Sequence, residues 1–243
     1  LNIIEKWFIR RHLTNNPSTG RLDQIFMDIV NQIEPIIKNN NETISIEKSD
    51  KSLIEIIENE LVKEKTPYNT INEINSKLSG NIYDDNSSLT MYLLVMLERN
   101  LNGWINREDV QQIYFWDTFK DNTKITPVWS VEHILPQSPK KGTDWFDWWT
   151  ENEMENYVHK LGNLTLTGFN GRLSNKSFKD KKELEKTIVK DTKTIIEFVG
   201  YTSGKIKLND TVKTELKWTK TEINKRTNIL ISEIIKMLKY SYE

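Results

Sequence analysis

The chain has 243 residues, enough to bury a hydrophobic core without covalent support, and it contains no cysteine. The lack of cysteine excludes disulfide frameworks, zinc knuckles and thiol nucleophiles, and it fits a reducing compartment, so we expect a cytoplasmic protein. With 34 basic and 35 acidic residues the formal net charge is -1, which excludes a globally basic nucleic-acid binder.

The apolar runs and the start of the chain indicate where the protein is located and whether the sequence is part of a longer chain. The run from Met91 to Leu97 is far shorter than the ~20 residues of a membrane-spanning helix, so we expect no membrane association. No signal peptide is visible. Because the chain begins at Leu1, directly in a patterned segment, we expect a piece of a longer polypeptide.

The first hundred residues are predicted to form a helical array. Apolar residues recur at helical spacing in residues 1–13 and again in residues 21–37, where Pro35 should bend or end the helix. The polar stretch Tyr83 to Ser88 is predicted to be a surface loop that caps a helix from Asn86 to Leu101. We assign residues 1–112 to a helical domain.

The pattern changes near Thr126, within a central domain that we assign to residues 113–200. Alternation over residues 128–133 predicts a strand, which Pro136 stops. A second strand is predicted at Leu164–Thr167, and then a helix over Ser174–Asp191 whose start is capped by Ser177 and Asp180. Strand, long loop, strand and helix in this order predict a ββα unit.

The last segment, residues 201–243, is predicted to contribute a helix from about Thr219 to Leu238 that packs on the rest. Arg226 falls on the apolar stripe of this helix, which makes it a candidate for a buried ion pair or a phosphate contact. The predicted fold class is mainly α with a small ββα unit, a helical array flanking a short β-hairpin.

His133 is the residue best placed for chemistry. It is one of three histidines, it follows Glu132, and it lies at the end of a predicted strand before a proline. Phosphodiester hydrolysis needs a base, a divalent cation and a group that fixes the tautomer of the base. Because adjacent strand residues point to opposite faces, Glu132 and His133 can share one metal only if the strand ends or bends there. His12 and His159 are predicted to be a surface and a helix-end residue, without catalytic roles.

The order of these motifs resembles the HNH, or His-Me finger, nucleases with their ββα-metal unit. The matching residues are Val131-Glu-His-Ile-Leu-Pro-Gln137, then Gly162-Asn-Leu-Thr-Leu166, then Asn170, Asn175, Phe178 and Lys181. More closely, the chain is similar to the GmrSD family of Type IV modification-dependent restriction systems, in its C-terminal GmrD-like nuclease domain. The segments at Phe8-Ile-Arg-Arg11 and at Ile223 to Arg226 extend the likeness to nearly the whole chain.

The resemblance implies a role for each matched residue. His133 would be the general base that activates water, and Glu132 would be a metal ligand. Asn163 would hold the histidine-bearing loop by hydrogen bonds. The second metal ligand would be Asn170 or Asn175. One sequence alone does not fix its alignment with the family motif, so both stay open.

The expected cofactor is one divalent ion, Mg²⁺ or Mn²⁺, because one carboxylate oxygen and one amide oxygen suit a hard, mostly hydrated cation. Zinc is disfavoured since no cysteine can hold it. Lys181 shares a helix line with Phe178 and Leu184, which points it inward. There it either stabilises the pentavalent phosphate or merely extends its amine toward solvent.

Basic residues follow Asn170. Between Asn170 and Lys190 there are seven basic and three acidic residues, which predicts either a phosphate-contacting strip or a solvated helix face. The proposed nucleic-acid contacts are Arg172, Lys176, Lys179 and Lys182. The pairs Arg10-Arg11 and Lys140-Lys141 are likewise phosphate contacts or ordinary surface charge.

The tryptophans of residues 145–149 are interpreted as core packing that anchors their loop on the helical array, in preference to a base-stacking platform.

The leading functional hypothesis is a DNA endonuclease module with one active site per chain. It would nick one strand and would need a second protomer, as in a homodimer, or a second event to break a duplex. The resemblance further implies an upstream nucleotide-hydrolysing, modification-sensing domain and a role in defence against phage DNA. A non-catalytic nucleic-acid-binding or regulatory module with a degenerate site and an RNA-directed nuclease stay open, because a ββα site contacts phosphates rather than base edges.

Overall fold

The computed structural model describes residues 3–39, 46–63, 68–102, 118–121, 124–127, 129–168, 170–190, 193–204, 206–240 and 243. The described chain is mostly helical, as predicted, and its strands form two-stranded antiparallel sheets. It divides into two compact units, one of residues 1–77 with 235–243 and one of residues 78–234, while the expected division into three domains stays a prediction. In the described part, every helix is too short or too polar to span a lipid bilayer.

The first unit consists of helices around a small apolar core. Its helices are α1 (Ile3–Thr14), α2 (Leu22–Asn39), α3 (Ile46–Val62) and α4 (Ile71–Leu78). Helical spacing brings Trp7, Ile25, Ile29 and Leu61 together in the interior. α2 continues past Pro35 to its end at Asn39, so the prediction that this proline could end the helix is wrong. Because Pro35 has no backbone N–H, the helix continues past it without the hydrogen bond that this residue would otherwise donate.

Arg10 and Arg11 are buried cations of the first unit. The guanidinium of Arg10 donates to both carboxylate oxygens of Glu243, at 2.5 and 2.7 Å, and to the side-chain oxygen of Asn69 at 2.7 Å. Arg11 donates to Thr19 Oγ1 at 2.9 Å and is 7% exposed. Because both side chains are enclosed by protein, the interpretations of this pair as surface charge and as phosphate contacts are wrong.

The second unit carries the strands. Its strands are β1 (Thr118–Asp121), β2 (Lys124–Pro127), β3 (Ser130–His133), β4 (Leu164–Thr167), β5 (Glu185–Lys190) and β6 (Lys193–Val199). Its helices are α5 (Ile82–Asp85), α6 (Ser87–Asn102), α7 (Trp145–Trp148), α8 (Glu151–Tyr157), α9 (Asn170–Leu173), α10 (Phe178–Glu183), α11 (Asp210–Lys213) and α12 (Lys220–Leu238). The final residues of α12 belong to the first unit.

The hairpin of β3 and β4 positions the predicted site. The two strands are antiparallel, with His133 opposite Leu164 and Ser130 opposite Thr167. β4 coincides with the second predicted strand, β3 is the end of the first predicted run, and α6 packs on both strands. The short helix α9 follows β4. Two strands, a long connection between them and short helices after them are thus observed, while the assignment to a ββα unit stays a prediction.

The helix predicted over Ser174–Asp191 is wrong beyond Glu183. α10 does begin after Ser177, whose side chain accepts from Asp180 N–H at 3.1 Å, as its predicted cap requires. The chain then enters β5, which pairs with β6. The β-branched residues 187–189 explain the change, because branching at Cβ disfavours a helix and favours a strand. The basic residues after Asn170 therefore do not share one helix face.

Aromatic side chains fill the core of the second unit. Trp145 and Trp149 are buried there with Phe178 and Trp218. The indole N–H of Trp149 donates to Trp218 O at 2.7 Å, and that of Trp145 donates to Lys176 O at 2.9 Å. Core packing of the tryptophan run is thus confirmed. The described members of this cluster lie between residues 134 and 223, and the expected anchorage of the loop on the N-terminal helical array stays a prediction.

Candidate active site

His133 is the last residue of β3, and the chain bends directly after it. The bend is held by a backbone hydrogen bond from Ile134 N–H to Asn163 O at 2.9 Å. His133 is 7% exposed, so its ring is largely enclosed by protein. The strand therefore ends at the point where the sequence required an end or a bend.

Asn163 holds the turn that follows His133. Its completely buried side chain donates to Leu135 O at 2.9 Å and accepts from Leu135 N–H at 2.8 Å. It also donates to Val158 O at 2.8 Å and accepts from the indole N–H of Trp218 at 3.0 Å. Both amide hydrogens and the amide oxygen are thus engaged. Asn163 lies where a residue must lie to hold the histidine-bearing loop.

Arg226 and Gly162 support the beginning of β4. Arg226 is buried and donates to the backbone oxygens of Gly162 and Leu164, each at 2.7 Å, and of Leu208 at 3.0 Å. Burial lowers the pKa of Arg226 to about 10, so the guanidinium stays cationic at neutral pH. Its described partners are carbonyl and hydroxyl oxygens, so the expected ion pair or phosphate contact is wrong. A Cβ on Gly162 would lie 2.1 Å from Ile223 O, which explains the glycine.

Glu132 lies against Lys181 in the interior. The ammonium of Lys181 donates to Glu132 Oε1 at 2.6 Å and to His133 O at 2.7 Å, and the hydroxyl of Tyr201 donates to the same carboxylate oxygen at 3.0 Å. Glu132 is 3% exposed and Lys181 is completely buried. Burial raises the pKa of Glu132 and lowers the pKa of Lys181, because each charged form loses its hydration, while their contact opposes both shifts.

This geometry separates the Glu132 carboxylate from the His133 imidazole. The carboxylate faces Lys181 and Tyr201, while the imidazole has other neighbours, as adjacent strand positions require. Lys181 compensates the charge of Glu132, which weakens its attraction for a divalent cation. Among the described residues, no three His, Cys, Asp or Glu side chains cluster in a way that could hold a metal ion. In this arrangement Glu132 does not fit the expected role of metal ligand.

Lys181 points inward, as predicted, but its ammonium does not reach the surface. The side chain is 1% exposed, and both of its hydrogen-bond acceptors belong to the end of β3. The two alternatives for this lysine, contact with phosphate and extension to solvent, both need an accessible amine. The structure instead places Lys181 as a brace of the strand that carries His133.

The imidazole of His133 is enclosed by a second histidine, a tyrosine and a glutamine. Its Nε2 lies 3.2 Å from Nδ1 of His159, and the amide nitrogen of Gln137 lies 3.2 Å from its Nδ1 and 3.4 Å from its Nε2. The ring of Tyr83 meets the His133 ring edge to face, with centroids 4.7 Å apart. Burial, followed by the nearby His159 and Lys181, lowers the pKa of His133 to about 3, so this ring is neutral at neutral pH.

His159 and Tyr83 were not predicted to belong to the site. His159 follows the end of α8, and Tyr83 lies in α5, where a surface loop was predicted. The signal that could have found His159 is its position just before Gly162 and Asn163. A turn that brings Asn163 to the loop after His133 also brings the residues preceding it. Tyr83 has no comparable signal, because its proximity depends on tertiary packing.

A surface cleft, here called the basic cleft, lies between residues 138–143 and residues 171–184. Its charged lining residues are Lys140, Lys141, Arg172, Lys176 and Asp180. Asn175 is exposed and lines the same cleft. Asn170 begins α9, but its side chain lies outside the part of the chain that the structure describes. Of the two asparagines, Asn175 is therefore the one whose side chain is known to be accessible.

The basic cleft contains part of the predicted nucleic-acid surface. Arg172 and Lys176 line it, together with the Lys140-Lys141 pair from the preceding loop. Lys179 is exposed outside the cleft lining. Lys182 is half-buried, donates to Glu215 O and lies over the ring of Phe178. Four cations from two separate segments thus face one groove, which suits a chain of phosphates.

Comparison with known proteins gives one family. A family model described as GmrSD restriction endonucleases, C-terminal domain, matches residues 36–233, more than half of the chain. The matched range includes Tyr83, β3, β4 and the basic cleft. A search of curated proteins returned no match.

Proposed function

This chain belongs to the family of GmrSD restriction endonucleases, C-terminal domain, and from that membership we propose that it is a nuclease domain that cleaves DNA. The proposed site is of the HNH, ββα-metal type, with His133 as the general base. The observation that supports this most is the position of His133 at the end of β3, next to a turn that the buried side chain of Asn163 holds by hydrogen bonds. Membership also supports a role in restriction of foreign DNA.

The proposed reaction begins with removal of a proton from water by His133. A general base must be unprotonated, and a pKa of about 3 keeps His133 in that state, although so low a pKa also makes the free imidazole a weak proton acceptor. An approaching phosphodiester is negatively charged, so it stabilises the imidazolium and raises the pKa of His133, which favours the proton transfer. The water oxygen then attacks phosphorus, and the bond to the leaving oxygen breaks.

Buried residues hold His133 for this step. Asn163 fixes the backbone after His133, and Lys181 fixes the backbone of His133 itself. Tyr201 and Glu132 complete the support of the Lys181 ammonium and its strand. We therefore propose that Asn163 and Lys181 are positioning residues and that Lys181 does not contact the phosphate.

We also propose a requirement for one Mg²⁺ or Mn²⁺. Asn175 offers an exposed amide oxygen, and Asn170 stays an alternative to it. Glu132 becomes available as a ligand if its pair with Lys181 opens, since its charge is otherwise compensated. A hard cation of this kind supplies charge neutralisation at the phosphate.

The partners are proposed on two grounds. The basic cleft, with Lys140, Lys141, Arg172 and Lys176, supports binding along a phosphate backbone. Family membership supports DNA as the substrate, an upstream nucleotide-hydrolysing sensor domain, and a second protomer for cleavage of both strands. RNA is the alternative substrate, since phosphate contacts carry no base identity.

The proposal is tested by nicking of supercoiled plasmid in low salt with Mg²⁺ or Mn²⁺. His133→Ala should slow nicking at least about 100-fold, the usual contribution of a general base, and EDTA should stop it. His12→Ala is the matched control, because His12 is exposed on α1 of the first unit. Equal rates for wild type and His133→Ala would exclude His133 as the base. DNA binding without any cleavage would favour a non-catalytic module, and cleavage confined to RNA would favour the RNA-directed alternative.

A further inference from the structure

We propose that His159 is a positioning residue that holds the ring proton of His133 on Nε2 and so leaves Nδ1 as the basic nitrogen. The inference deepens the proposed function and rests on it for the identity of the base. The tautomer itself is a property of the folded protein and can be measured whether or not the chain cleaves DNA.

The contact between the two rings carries the inference. Nε2 of His133 and Nδ1 of His159 lie 3.2 Å apart, with the rings at 83° to each other. A neutral imidazole has one N–H and one lone pair, so one ring donates here and the other accepts. If His159 donated, the proton of His133 would lie on Nδ1, and both of its nitrogens would be unavailable to water. If His133 donates, Nδ1 keeps a lone pair.

The position of Gln137 favours the second arrangement. Its amide nitrogen is nearer to Nδ1 of His133 than to Nε2, at 3.2 against 3.4 Å. An amide nitrogen donates and does not accept, so a hydrogen bond to its closer neighbour requires a lone pair on Nδ1. The side chain of Gln137 is exposed, which lets water take the place of its amide beside Nδ1.

Tyr83 fixes the orientation of both rings. It stacks on His159, with centroids 5.5 Å apart and planes at 10°, and it meets His133 edge to face. Its backbone N–H also donates to His159 O at 3.4 Å. His159 therefore has contacts through its ring face and its backbone as well as through Nδ1.

The same contact stabilises the product of proton transfer. After Nδ1 of His133 accepts a proton, the ring is an imidazolium, and its Nε2–H bond to His159 becomes charge-assisted and stronger. His159 thus fixes the tautomer of the general base His133 and stabilises its imidazolium, without itself contacting water or phosphate.

The first test is ¹⁵N NMR of histidine-labelled protein, which distinguishes the two tautomers. The chain has three histidines, so His12→Asn and His159→Asn assign the signals. We expect His133 in the Nε2–H form in the wild type and a mixture of both forms in His159→Leu. An Nδ1–H form of His133 in the wild type would overturn the inference.

The second test uses two variants of matched shape in the plasmid assay. Leucine and asparagine branch alike at Cγ, and both remove the stacking on Tyr83, but asparagine keeps an acceptor in the place of Nδ1. His159→Leu should slow nicking roughly 10- to 100-fold at unchanged DNA affinity, and His159→Asn should recover most of the rate.

The outcomes of the two tests separate this inference from the proposed function. Equal loss in both variants would show a merely structural role, and no loss in either would show none; each result rejects the inference while leaving the nuclease intact. If the wild type does not nick DNA, the proposed function fails, and the NMR tautomer alone decides whether His159 orients His133.

Discussion

The surroundings of Asn163 and the basic cleft use polar residues in opposite ways. Around Asn163 the donors and acceptors are buried and each has a fixed partner. In the basic cleft the cations are exposed side chains that line a groove. Loss of one partner in a buried network leaves a desolvated group unpaired, whereas an exposed cation contributes little to stability and acts through the summed potential. The first region therefore holds the backbone next to His133, and the second presents positive charge at the surface.

The largest effect on stability should come from Asn163→Ala, which removes the centre of the buried hydrogen-bond network. This substitution removes four hydrogen bonds with Leu135, Val158 and Trp218, and the free energy of unfolding should fall by about 4 kcal/mol at about 1 kcal/mol per bond. Urea unfolding followed by fluorescence measures this. Asn175→Ala is the matched control, since Asn175 is exposed, and should change stability by less than about 0.5 kcal/mol. Equal stability of both variants would contradict the difference between the two regions.

Lys181→Met should have the next largest effect. It leaves the Glu132 carboxylate buried without its cation, which costs about 3 kcal/mol of unfolding free energy. Adding Glu132→Gln removes the uncompensated charge and should restore part of the stability. Urea unfolding of the wild type, both single variants and the double variant forms a double-mutant cycle. Independent, additive effects of the two substitutions would show that the pair does not act as a unit.

Substitutions in the basic cleft should have the smallest effect on stability. They should have a clear effect on DNA binding. Replacing Lys140, Lys141 and Arg172 by alanine should change the unfolding free energy by less than about 0.5 kcal/mol for each substitution. DNA affinity should fall, and the slope of log affinity against log salt should decrease by about 1 for each phosphate that the variant no longer neutralises. Fluorescence anisotropy with a labelled duplex measures both. Lys179→Ala is the control outside the cleft lining, and an equal effect from it would show that the cleft is not the binding surface.

Local sequence patterns predicted much of the secondary structure around the site. β4 has the predicted bounds because alternation and the flanking turn residues agree there, and α12 begins as predicted because Glu222 accepts from the backbone N–H of Thr219 at 2.7 Å. The helix after Asn170 was overextended because β5 is stabilised by pairing with β6, an interaction that helical spacing does not reveal.

The side-chain contacts of the site were predicted less completely than its secondary structure. The inward direction of Lys181 follows from its helix line, but its partners at the end of β3 depend on how α10 packs. The contact of His159 with His133 depends on the bend that Asn163 stabilises. A pattern along the chain predicts on which side of an element a residue lies, but a hydrogen bond between distant segments requires their relative placement.

The hydrogen bonds of Arg226 have a consequence for the order of synthesis. Residues 130–167 leave the ribosome before residues 218–226, so the hairpin of β3 and β4 emerges while the carbonyls of Gly162 and Leu164 lack their guanidinium and Asn163 lacks the indole of Trp218. A nascent chain that ends before Arg226 has the sequence of the site but not the groups that hold its turn. The histidine-bearing loop therefore reaches its final geometry only after Trp218 and Arg226 have been synthesised and α12 has docked.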